Sequence, residues 1–154
     1  MWIFMRKEGV FVNDLLGAAL RCPLCGEALA VCGNSLVCAG ARRHTYDMAR
    51  AGYVNLNTHL PQSGDTAEMA AARQAFLRRG SYAPLAAALT RSAAAYAPAF
   101  DLLCDAGCGE GYYTEAVGER FAAVLGADLS KHALALTGKS AKRAGLAQKL
   151  LYTA

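Results

Sequence analysis

The chain has 154 residues, of which 55% are hydrophobic and 18% charged, and it contains six cysteines, 15 glycines and four prolines. This composition is typical of a globular protein and excludes a mainly disordered or collagen-like chain. No apolar run reaches the roughly 18 residues of a membrane span. Arg6, Lys7 and Glu8 interrupt the apolar start, so we expect a cytoplasmic protein without a signal peptide.

The net charge of +4 comes from the C-terminal end of the chain. Five of the 16 lysines and arginines lie in residues 129–154, which contain no acidic residue, whereas residues 1–128 carry 11 basic and 12 acidic residues. Such a basic segment is either a phosphate-binding tail or the solvated face of a helix. The charge alone therefore selects no partner.

The first hundred residues divide into three segments. Residues 1–21 form an extension without an assignable role. Residues 22–57 form a turn-rich module that carries four cysteines and ends in a strand-like stretch, and residues 58–99 are predicted to be a helical linker.

Two helices are predicted within this linker. Asp65 is predicted as the N-cap of the first helix, because a glutamate follows three residues later. The apolar face of this helix is predicted to hold Met69, Phe76 and Leu77. Glycine and proline bound the helices, at Gly80, Pro84 and Pro98.

Residues 100–154 alternate between strands and helices. An apolar strand over 100–104 runs into a glycine-rich turn, and a helix over 112–120 and a second strand over 121–127 follow. Ser130 is predicted to cap the last helix. This order predicts an α/β fold with a Rossmann-like domain. The expected third strand is not recognisable, so we expect an incomplete domain, the front half of a longer one.

Four residues of the cysteine-bearing module fit one zinc site. Cys22 and Cys25 form a C-x-x-C knuckle, and Cys38 and His44 supply a second arm 13 and 19 residues after Cys25. Structural zinc takes four such ligands in a tetrahedron. A module of roughly 30 residues has too small a hydrophobic core to fold without a bound metal ion.

Other interpretations of these cysteines stay open. Cys32 is able to replace Cys38 or His44, or to act as a small buried apolar residue. A redox pair at Cys22 and Cys25 is disfavoured because no βαβ pattern surrounds it. Unmetallated core thiols are the remaining alternative.

The segment 105–111 has the pattern of a nucleotide-binding turn. Gly107 and Gly109 let the backbone approach a ligand, which a side chain at either position would block. Asp128 lies 21 residues after Gly107, at the end of the next predicted strand, where a carboxylate accepts ribose hydroxyls. Asp105 either holds a cationic amino group or orders the turn. An ordinary strand–helix turn is the alternative.

The spacing of the glycines favours a nucleoside cofactor without a pyrophosphate. A dinucleotide-binding turn has the pattern G-x-G-x-x-G, and here the third glycine, Gly111, comes one residue early. We therefore expect S-adenosylmethionine as the cofactor.

Taken together, these motifs resemble the 23S rRNA guanine-N1 methyltransferases over about residues 22–145. The resemblance implies a small zinc-ribbon-like module followed by an incomplete Rossmann-like, S-adenosylmethionine-binding methyltransferase domain. The matching segments are Cys22-Pro23-Leu24-Cys25, His44-Thr45-Tyr46-Asp47, Gly52-Tyr53-Val54-Asn55-Leu56, Gly64-Asp65-Thr66-Ala67-Glu68-Met69, Ala72-Arg73, Phe76-Leu77, Gly80 with Tyr82, the run from Asp105 to Thr114, and Asp128-Leu129-Ser130-Lys131.

The resemblance also implies roles for individual residues. It makes the zinc ligands Cys22, Cys25, Cys38 and His44, with a second arm two residues longer than the family's usual C-x3-H. Tyr82, Gly109 and Glu110 match positions that contact the methyl donor. Cys108 is then a small packing residue and not a nucleophile.

The implied activity is S-adenosylmethionine-dependent methylation of guanine N1 in a hairpin loop of 23S rRNA. N1 lies on the Watson–Crick edge, so the base must be unpaired or extruded. Arg42, Arg43 and Arg50 are candidate phosphate contacts, with solvated surface arginines as the alternative. No general base can be named, and a fragment of this kind is expected to be inactive or impaired alone. A homodimer is compatible with the resemblance.

Two other functions stay open. The chain is alternatively a non-catalytic zinc ribbon that binds RNA or protein, or a small-molecule methyltransferase with an incidental zinc knuckle. His59 and His132 have no partner pattern and are interpreted as surface residues, and Tyr112 and Tyr113 are interpreted as core packing.

Overall fold

Three β-sheets organise the part of the chain that the structure, a computed structural model, describes: residues 2–4, 11–13, 16, 19–57, 65–96, 102–143 and 150–153. An antiparallel hairpin joins β1 (Trp2–Phe4) and β2 (Phe11–Asn13). A three-stranded antiparallel sheet follows, made of β3 (Leu29–Cys32), β4 (Ser35–Cys38) and β5 (Thr45–Asp47). The third sheet is parallel and contains β6 (Tyr53–Val54), β7 (Leu102–Ala106), β8 (Ala123–Ala127) and β9 (Leu150–Thr153).

Four helices accompany these sheets within the described residues. They are α1 (Ala67–Leu77), α2 (Ala83–Tyr96), α3 (Tyr112–Gly118) and α4 (Lys131–Arg143). None of the described helices is both long enough and apolar enough to cross a bilayer. The predicted helix stop at Pro98 and the surface histidine His59 lie outside the described residues.

The expectation of a missing third strand is wrong. β9 pairs with β8 on one side and with β6 on the other, giving a parallel sheet in the order β6-β9-β8-β7. β9 is only four residues long. Besides β8 it pairs with β6, a strand at the end of the cysteine-bearing module. A short strand stabilised by distant partners leaves little local signal.

The boundaries of the other elements differ from the prediction by a few residues. β7 begins at Leu102, α3 ends at Gly118 and β8 begins at Ala123. Phe121 was expected to open β8, but it is buried just before the strand. Ser130 caps α4 as predicted, because its hydroxyl accepts a hydrogen bond from the Ala133 amide at 3.2 Å.

The start of α1 corrects two expectations. Thr66, not Asp65, is the N-cap, and its hydroxyl accepts a hydrogen bond from the Met69 amide. Asp65 instead forms an ion pair with Arg73, with 2.7 Å between the charged atoms. The predicted apolar face is also wrong in part, since Leu77 is buried but Met69 and Phe76 are about half exposed.

One hydrophobic core joins the antiparallel sheet to the parallel one. Leu16 and Leu20, from the end of the N-terminal extension, pack in this core with Tyr46 of β5. Val54 of β6 and Ala123 of β8 belong to the same cluster and are fully buried. Residues 20–57, which we call the ribbon, therefore share packing with the sheet that carries the predicted cofactor turn.

Candidate metal centre and cofactor turn

Two tight turns of the ribbon present the four predicted zinc ligands. In the first turn, the Cys22 amide donates to the Glu27 carbonyl at 2.8 Å and the Gly26 amide donates back to the Cys22 carbonyl at 2.8 Å. In the second, the Cys38 amide donates to the His44 carbonyl at 2.8 Å. Each turn therefore brings its pair of ligands to the same end of the ribbon.

The four side chains converge on one point. The ligand atoms of Cys22, Cys25, Cys38 and His44 all lie within 4.8 Å of one another. The Cys25 and Cys38 sulfurs are 3.2 Å apart, and the Nδ1 atom of His44 lies 3.4 Å from the Cys22 sulfur and 3.5 Å from the Cys25 sulfur. Ligands of a tetrahedral zinc ion are separated by roughly 3.3–3.8 Å, so this Cys3His set fits zinc.

Two further groups hold the cysteine sulfurs from outside the ligand set. The Tyr46 hydroxyl lies 3.1 Å from the Cys22 sulfur, and the Gly40 amide donates to the Cys38 sulfur at 3.2 Å. A Cβ at Gly40 would lie 3.3 Å from that sulfur and 3.4 Å from the Cys25 sulfur. Gly40 thus lets the backbone approach two ligands closely.

The thiols differ in their acidity. Burial raises the pKa of Cys22, but contacts with the Tyr46 hydroxyl and with backbone amides outweigh it and lower that pKa to about 6. A backbone hydrogen bond at Glu27 lowers the pKa of Cys25, but the contact with Cys38, burial and the neighbouring Cys22 raise it to about 11. These contacts therefore favour the thiolate form more at Cys22 than at Cys25.

Cys32 lies outside this cluster. It ends β3, pairs with Ser35 across the hairpin and is exposed, so it is neither a buried apolar residue nor close to the converging sulfurs. The three arginines predicted to contact phosphate, Arg42, Arg43 and Arg50, are all exposed. Arg43 has a positive φ of 44° in the turn before His44.

The glycine turn, residues 105–111, joins β7 to α3 at the carboxyl edge of the parallel sheet. Three glycines adopt positive φ values: 84° at Gly107, 56° at Gly109 and 85° at Gly111. The amides of Gly107 and Cys108 both donate to the Ala127 carbonyl, at 2.7 and 3.0 Å. The turn is thereby held against the end of β8.

Asp128 faces this turn, as the sequence predicts. One carboxylate oxygen accepts the Gly109 amide at 2.8 Å, and the other accepts the Ser130 amide at 2.7 Å. Each oxygen retains a further lone pair, so hydrogen bonds to a ligand remain available.

The glycines of the turn have two different roles. A Cβ at Gly107 or at Gly109 would meet no atom within 4 Å, so these positions border open space that a ligand can enter. A Cβ at Gly111 would instead collide with the methyl group of Thr137 in α4. Side chains at 107 and 109 would thus occupy this open space, whereas Gly111 is required by packing.

Three carboxylates surround the turn. Burial, together with the charges of Asp128, Asp105 and Glu110, raises the pKa of the Cys108 thiol to about 12, which makes it a neutral packing group. Glu110 is 3% exposed, its Oε2 atom has no hydrogen-bond partner, and burial raises its pKa. We call these three carboxylates the acidic cradle. Their negative charge, and an acceptor oxygen without a hydrogen-bond partner, suit a cationic ligand such as a sulfonium nucleoside.

The other predicted residues have environments of their own. Asp105 accepts a hydrogen bond from the Thr114 hydroxyl at 2.5 Å, which orders the start of α3. Tyr82 is 39% exposed and packs edge-on against Phe76, with ring centroids 5.8 Å apart. His132 is exposed, as expected.

One ring of an aromatic pair at the start of α3, that of Tyr113, borders a cavity. Tyr112 and Tyr113 form an edge-on ring pair and are partly buried, so they only partly match the expected core packing. A cavity of about 320 Å³ lies between α2, β7 and α3, next to Asp105 and Tyr113. Its apolar lining comes from all three elements and includes Leu89 and Tyr96 of α2, Leu103 of β7 and Val117 of α3.

Sequence reasoning missed three residues that support the two sites. Tyr46 contacts a ligand sulfur, Thr114 orders Asp105, and the Thr137 hydroxyl lies 3.0 Å from the Gly109 carbonyl. Tyr46 and Thr114 lie inside the sequence motifs that carry the family resemblance, and this position was the signal that could have identified them. Thr137 had none, because its partner depends on how α4 packs.

Comparison with known proteins finds a family match for the segment that carries each of the two sites. Residues 20–61 match the zinc-ribbon family described as RlmA, N-terminal, and residues 104–153 match a methyltransferase domain. A Micromonospora griseorubida protein named as a 23S rRNA (guanine-N1)-methyltransferase is 41% identical over 149 residues, 83% of this chain and 50% of that protein. The chain is homologous to the 23S rRNA guanine-N1 methyltransferases. The predicted resemblance is confirmed.

Two further relatives of this methyltransferase family match. The 23S rRNA (guanine(748)-N(1))-methyltransferase of Streptomyces fradiae is 40% identical and covers 83% of this chain and 47% of its own length. A Bacillus subtilis protein named for the same guanine-N1 activity is 36% identical, over 79% of this chain and 46% of that protein. The chain thus spans about half the length of the curated relatives it matches.

The family matches also bear on the fold and cofactors. The predicted order, a zinc ribbon followed by part of a methyltransferase domain, is confirmed. Zinc is supported by the converging Cys3His set, and S-adenosylmethionine by the methyltransferase match. The solved S-adenosylmethionine-bound amino pentose methyltransferase of Micromonospora echinaspora is 29% identical and covers 62% of this chain and 37% of its own, with a TM-score of 0.40.

Proposed function

We propose that this chain binds S-adenosylmethionine at its glycine turn and takes part in methylating guanine N1 in a hairpin loop of 23S rRNA. The observation that carries the proposal is the Asp128 carboxylate, fixed between the Gly109 and Ser130 amides at the carboxyl edge of the parallel sheet. Parallel α/β sheets bind ligands at this edge. In this proposal the chain divides into an extension over 1–21, a zinc-binding module over 22–57, a helical linker over 58–99 and a cofactor domain over 100–154.

Carboxylates, glycines and one tyrosine contribute differently to ligand binding in this proposal. Asp128 accepts the ribose hydroxyls with its remaining lone pairs, and Gly107 and Gly109 leave room for the nucleoside to approach the backbone. Asp105 and Glu110 stabilise the positive charge of the ligand. Tyr82, whose ring is partly exposed and packs against Phe76, covers the bound ligand.

S-adenosylmethionine, when bound, supplies a methyl group activated by the adjacent sulfonium. The chain itself must hold that group in line with guanine N1 and keep water away from it. N1 is on the base-pairing edge, so the target guanine has to leave any pair before it enters the site. The proposal assigns no general base for the N1 proton among the described residues.

The ribbon supplies the RNA contacts in this proposal. Its metal site uses four protein ligands and leaves no open position, so its role is structural. Arg42 and Arg43 are exposed beside the ligand arm, and Arg50 is exposed after β5. Guanidinium groups on a rigid turn suit the phosphates of an RNA loop. Because rRNA is the substrate, we place the protein in the cytoplasm.

The first experiment is titration calorimetry of the zinc-loaded chain with S-adenosylmethionine. We expect one site per chain, weakened roughly 10- to 100-fold by Asp128→Asn, because the amide nitrogen opposes a backbone N–H and loses a charged acceptor. Asp47→Asn is the matched control, since Asp47 is exposed in the ribbon and its carboxylate accepts a hydrogen bond from the Ser35 hydroxyl, far from the turn in sequence. Absence of heat at protein well above micromolar supports a non-catalytic ribbon instead.

A second experiment separates the RNA substrate from a small molecule. The zinc-loaded chain is mixed with labelled S-adenosylmethionine and a 23S rRNA hairpin transcript, with and without the C-terminal half of a relative. Label at guanine N1 supports the proposal. Two results together contradict the RNA assignment: the chain binds the cofactor but the RNA gains no label, and the chain shows no salt-dependent RNA binding that depends on Arg42 and Arg43.

A further inference from the structure

We propose that Thr137 and Gly138 of α4 form a positioning pair that couples the ribbon to the glycine turn. The two residues are adjacent and buried, yet one contacts the turn and the other contacts the ribbon. This inference rests on the proposed function, in which the turn binds S-adenosylmethionine. Its first readout, however, requires no cofactor.

Thr137 holds the turn at two points. Its hydroxyl lies 3.0 Å from the Gly109 carbonyl and 2.9 Å from the Ala133 carbonyl, and the side chain is 0% exposed. Its methyl group occupies the space that a Cβ at Gly111 would take. The hydroxyl therefore fixes the peptide that follows Gly109, while the methyl group sets how closely Gly111 approaches α4.

Gly138 lies directly against the backbone of the ribbon. A Cβ there would collide with the Ala51 carbonyl oxygen and would lie 3.4 Å from the Gly52 Cα. The turn at these residues is itself closed by a hydrogen bond from the Gly52 amide to the Ala49 carbonyl, at 2.8 Å. Backbone atoms tied in this way cannot move aside as a flexible side chain can, so α4 rests on a rigid surface.

The path from the metal ligands to this surface is short. His44 leads into β5, and Met48, directly after β5, is fixed to Asn34 by bonds in both directions, at 2.9 and 3.0 Å. Met48 also bridges Val54 of β6. The turn at Ala51 lies between these two anchored residues, so a change in the ligand arm shifts the surface under α4.

This arrangement predicts a reciprocal link between the two sites. If an intact ribbon holds α4, and α4 holds Gly109, then loss of zinc loosens the turn. By linkage, if bound zinc raises the affinity of the turn for a ligand, that ligand raises the affinity of the ribbon for zinc by the same factor.

The first test is amide hydrogen exchange of the cofactor-free full chain, measured by NMR at Gly109 and Gly111. With zinc bound we expect slow exchange, since the Gly109 amide bonds Asp128 and the Gly111 amide bonds Cys108. Chelation of zinc is expected to accelerate both amides at least tenfold more than the amides of α3. Uniform acceleration, or none, contradicts the coupling.

Thr137→Val tests the link without removing zinc. Thr90→Val is a matched control, because the Thr90 hydroxyl also contacts the carbonyl four residues earlier, Ala86, and one on a neighbouring helix, Ala116. In zinc-loaded Thr137→Val we expect Gly109 to exchange about tenfold faster, and zinc removal to add little. Thr90→Val should behave as the wild type. Equal behaviour of the two variants overturns the proposal.

Gly138→Ala tests the ribbon side of the link. We expect it to bind zinc with unchanged stoichiometry and to show fast exchange at Gly109 with zinc present. Wild-type exchange at Gly109 in folded Gly138→Ala contradicts the proposal, and Thr137→Val decides if that variant does not fold. If the wild type gives no heat with S-adenosylmethionine, the proposed function fails, but these exchange results still decide the coupling.

Discussion

The ribbon and the glycine turn build their sites in opposite ways. All donors of the metal centre come from one continuous segment between Cys22 and His44, and two local turns aim them. The glycine turn depends on residues distant in sequence. Asp128, 19 residues after Gly109, bonds its amide, and Thr137, 28 residues after it, contacts its carbonyl. The metal centre is therefore sensitive to loss of its own ligands, and the turn to loss of packing around it.

The largest effect should follow removal of a buried ligand. Cys22→Ser is expected to reduce zinc from about one ion per chain to near zero and to unfold the ribbon, because structural zinc supplies about 10–16 kcal/mol of folding free energy in small modules. Elemental analysis and far-UV circular dichroism measure the two changes.

Cys32→Ser is the control for that prediction, and it also tests the alternative ligand. Cys32 is exposed and lies outside the converging set, so zinc content and folding should stay at wild-type values. Zinc loss in Cys32→Ser with retention in Cys38→Ser would show that the ligand set is misassigned.

The next largest effect concerns the acidic end of β8. Asp128→Ala leaves the Gly109 and Ser130 amides without their acceptor and should lower the free energy of unfolding by ~2 kcal/mol. Urea denaturation of the zinc-loaded chain measures this change. Asp47→Ala should change stability by less than about 0.5 kcal/mol, and a loss at Asp47 as large as at Asp128 argues against the bridging role.

A smaller effect is expected from the outer support of the metal centre. Tyr46→Phe keeps the buried ring but removes the hydroxyl beside the Cys22 sulfur, so zinc affinity should fall about tenfold. Competition with a chromophoric chelator measures the affinity. Tyr96→Phe, at a side chain that is 90% exposed, serves as control, and equal affinities of the two variants would remove Tyr46 from the site.

The smallest effect is a pH dependence at Glu110. Burial raises its pKa above the ordinary value of 4.5, so the folded chain keeps this proton longer than the unfolded chain does. The free energy of unfolding should therefore fall as the pH rises through and just above 4.5, and then level off. Glu110→Gln should flatten this slope in urea denaturation measured across pH, while Glu119→Gln should keep it. A slope unchanged in Glu110→Gln refutes the assignment.

The sequence predicted what depends on local chemistry. The convergence of the four cysteine and histidine side chains could be predicted because these residues at close spacing have few other uses, and the position of Asp128 because an acid after a strand is a positional signal. The glycine turn could be predicted as well, although only packing shows that Gly111 makes room for Thr137.

What the sequence did not predict depends on tertiary contacts. β9 is too short to be recognised without its partners β8 and β6. Asp65 and Thr66 are both good N-caps, and only the backbone geometry selects Thr66. Met69 and Phe76 fit an apolar face by periodicity, but α1 packs through Ala70 and Leu77.

The most direct test of the account is where S-adenosylmethionine binds. Amide chemical shifts of the zinc-loaded chain are followed by NMR as the cofactor is added. The account predicts shifts concentrated at Gly107, Gly109, Glu110 and Asp128, and their loss in Asp128→Asn. Shifts confined to the α2 cavity around Leu89 and Tyr96, or no shifts at saturating cofactor, would contradict it.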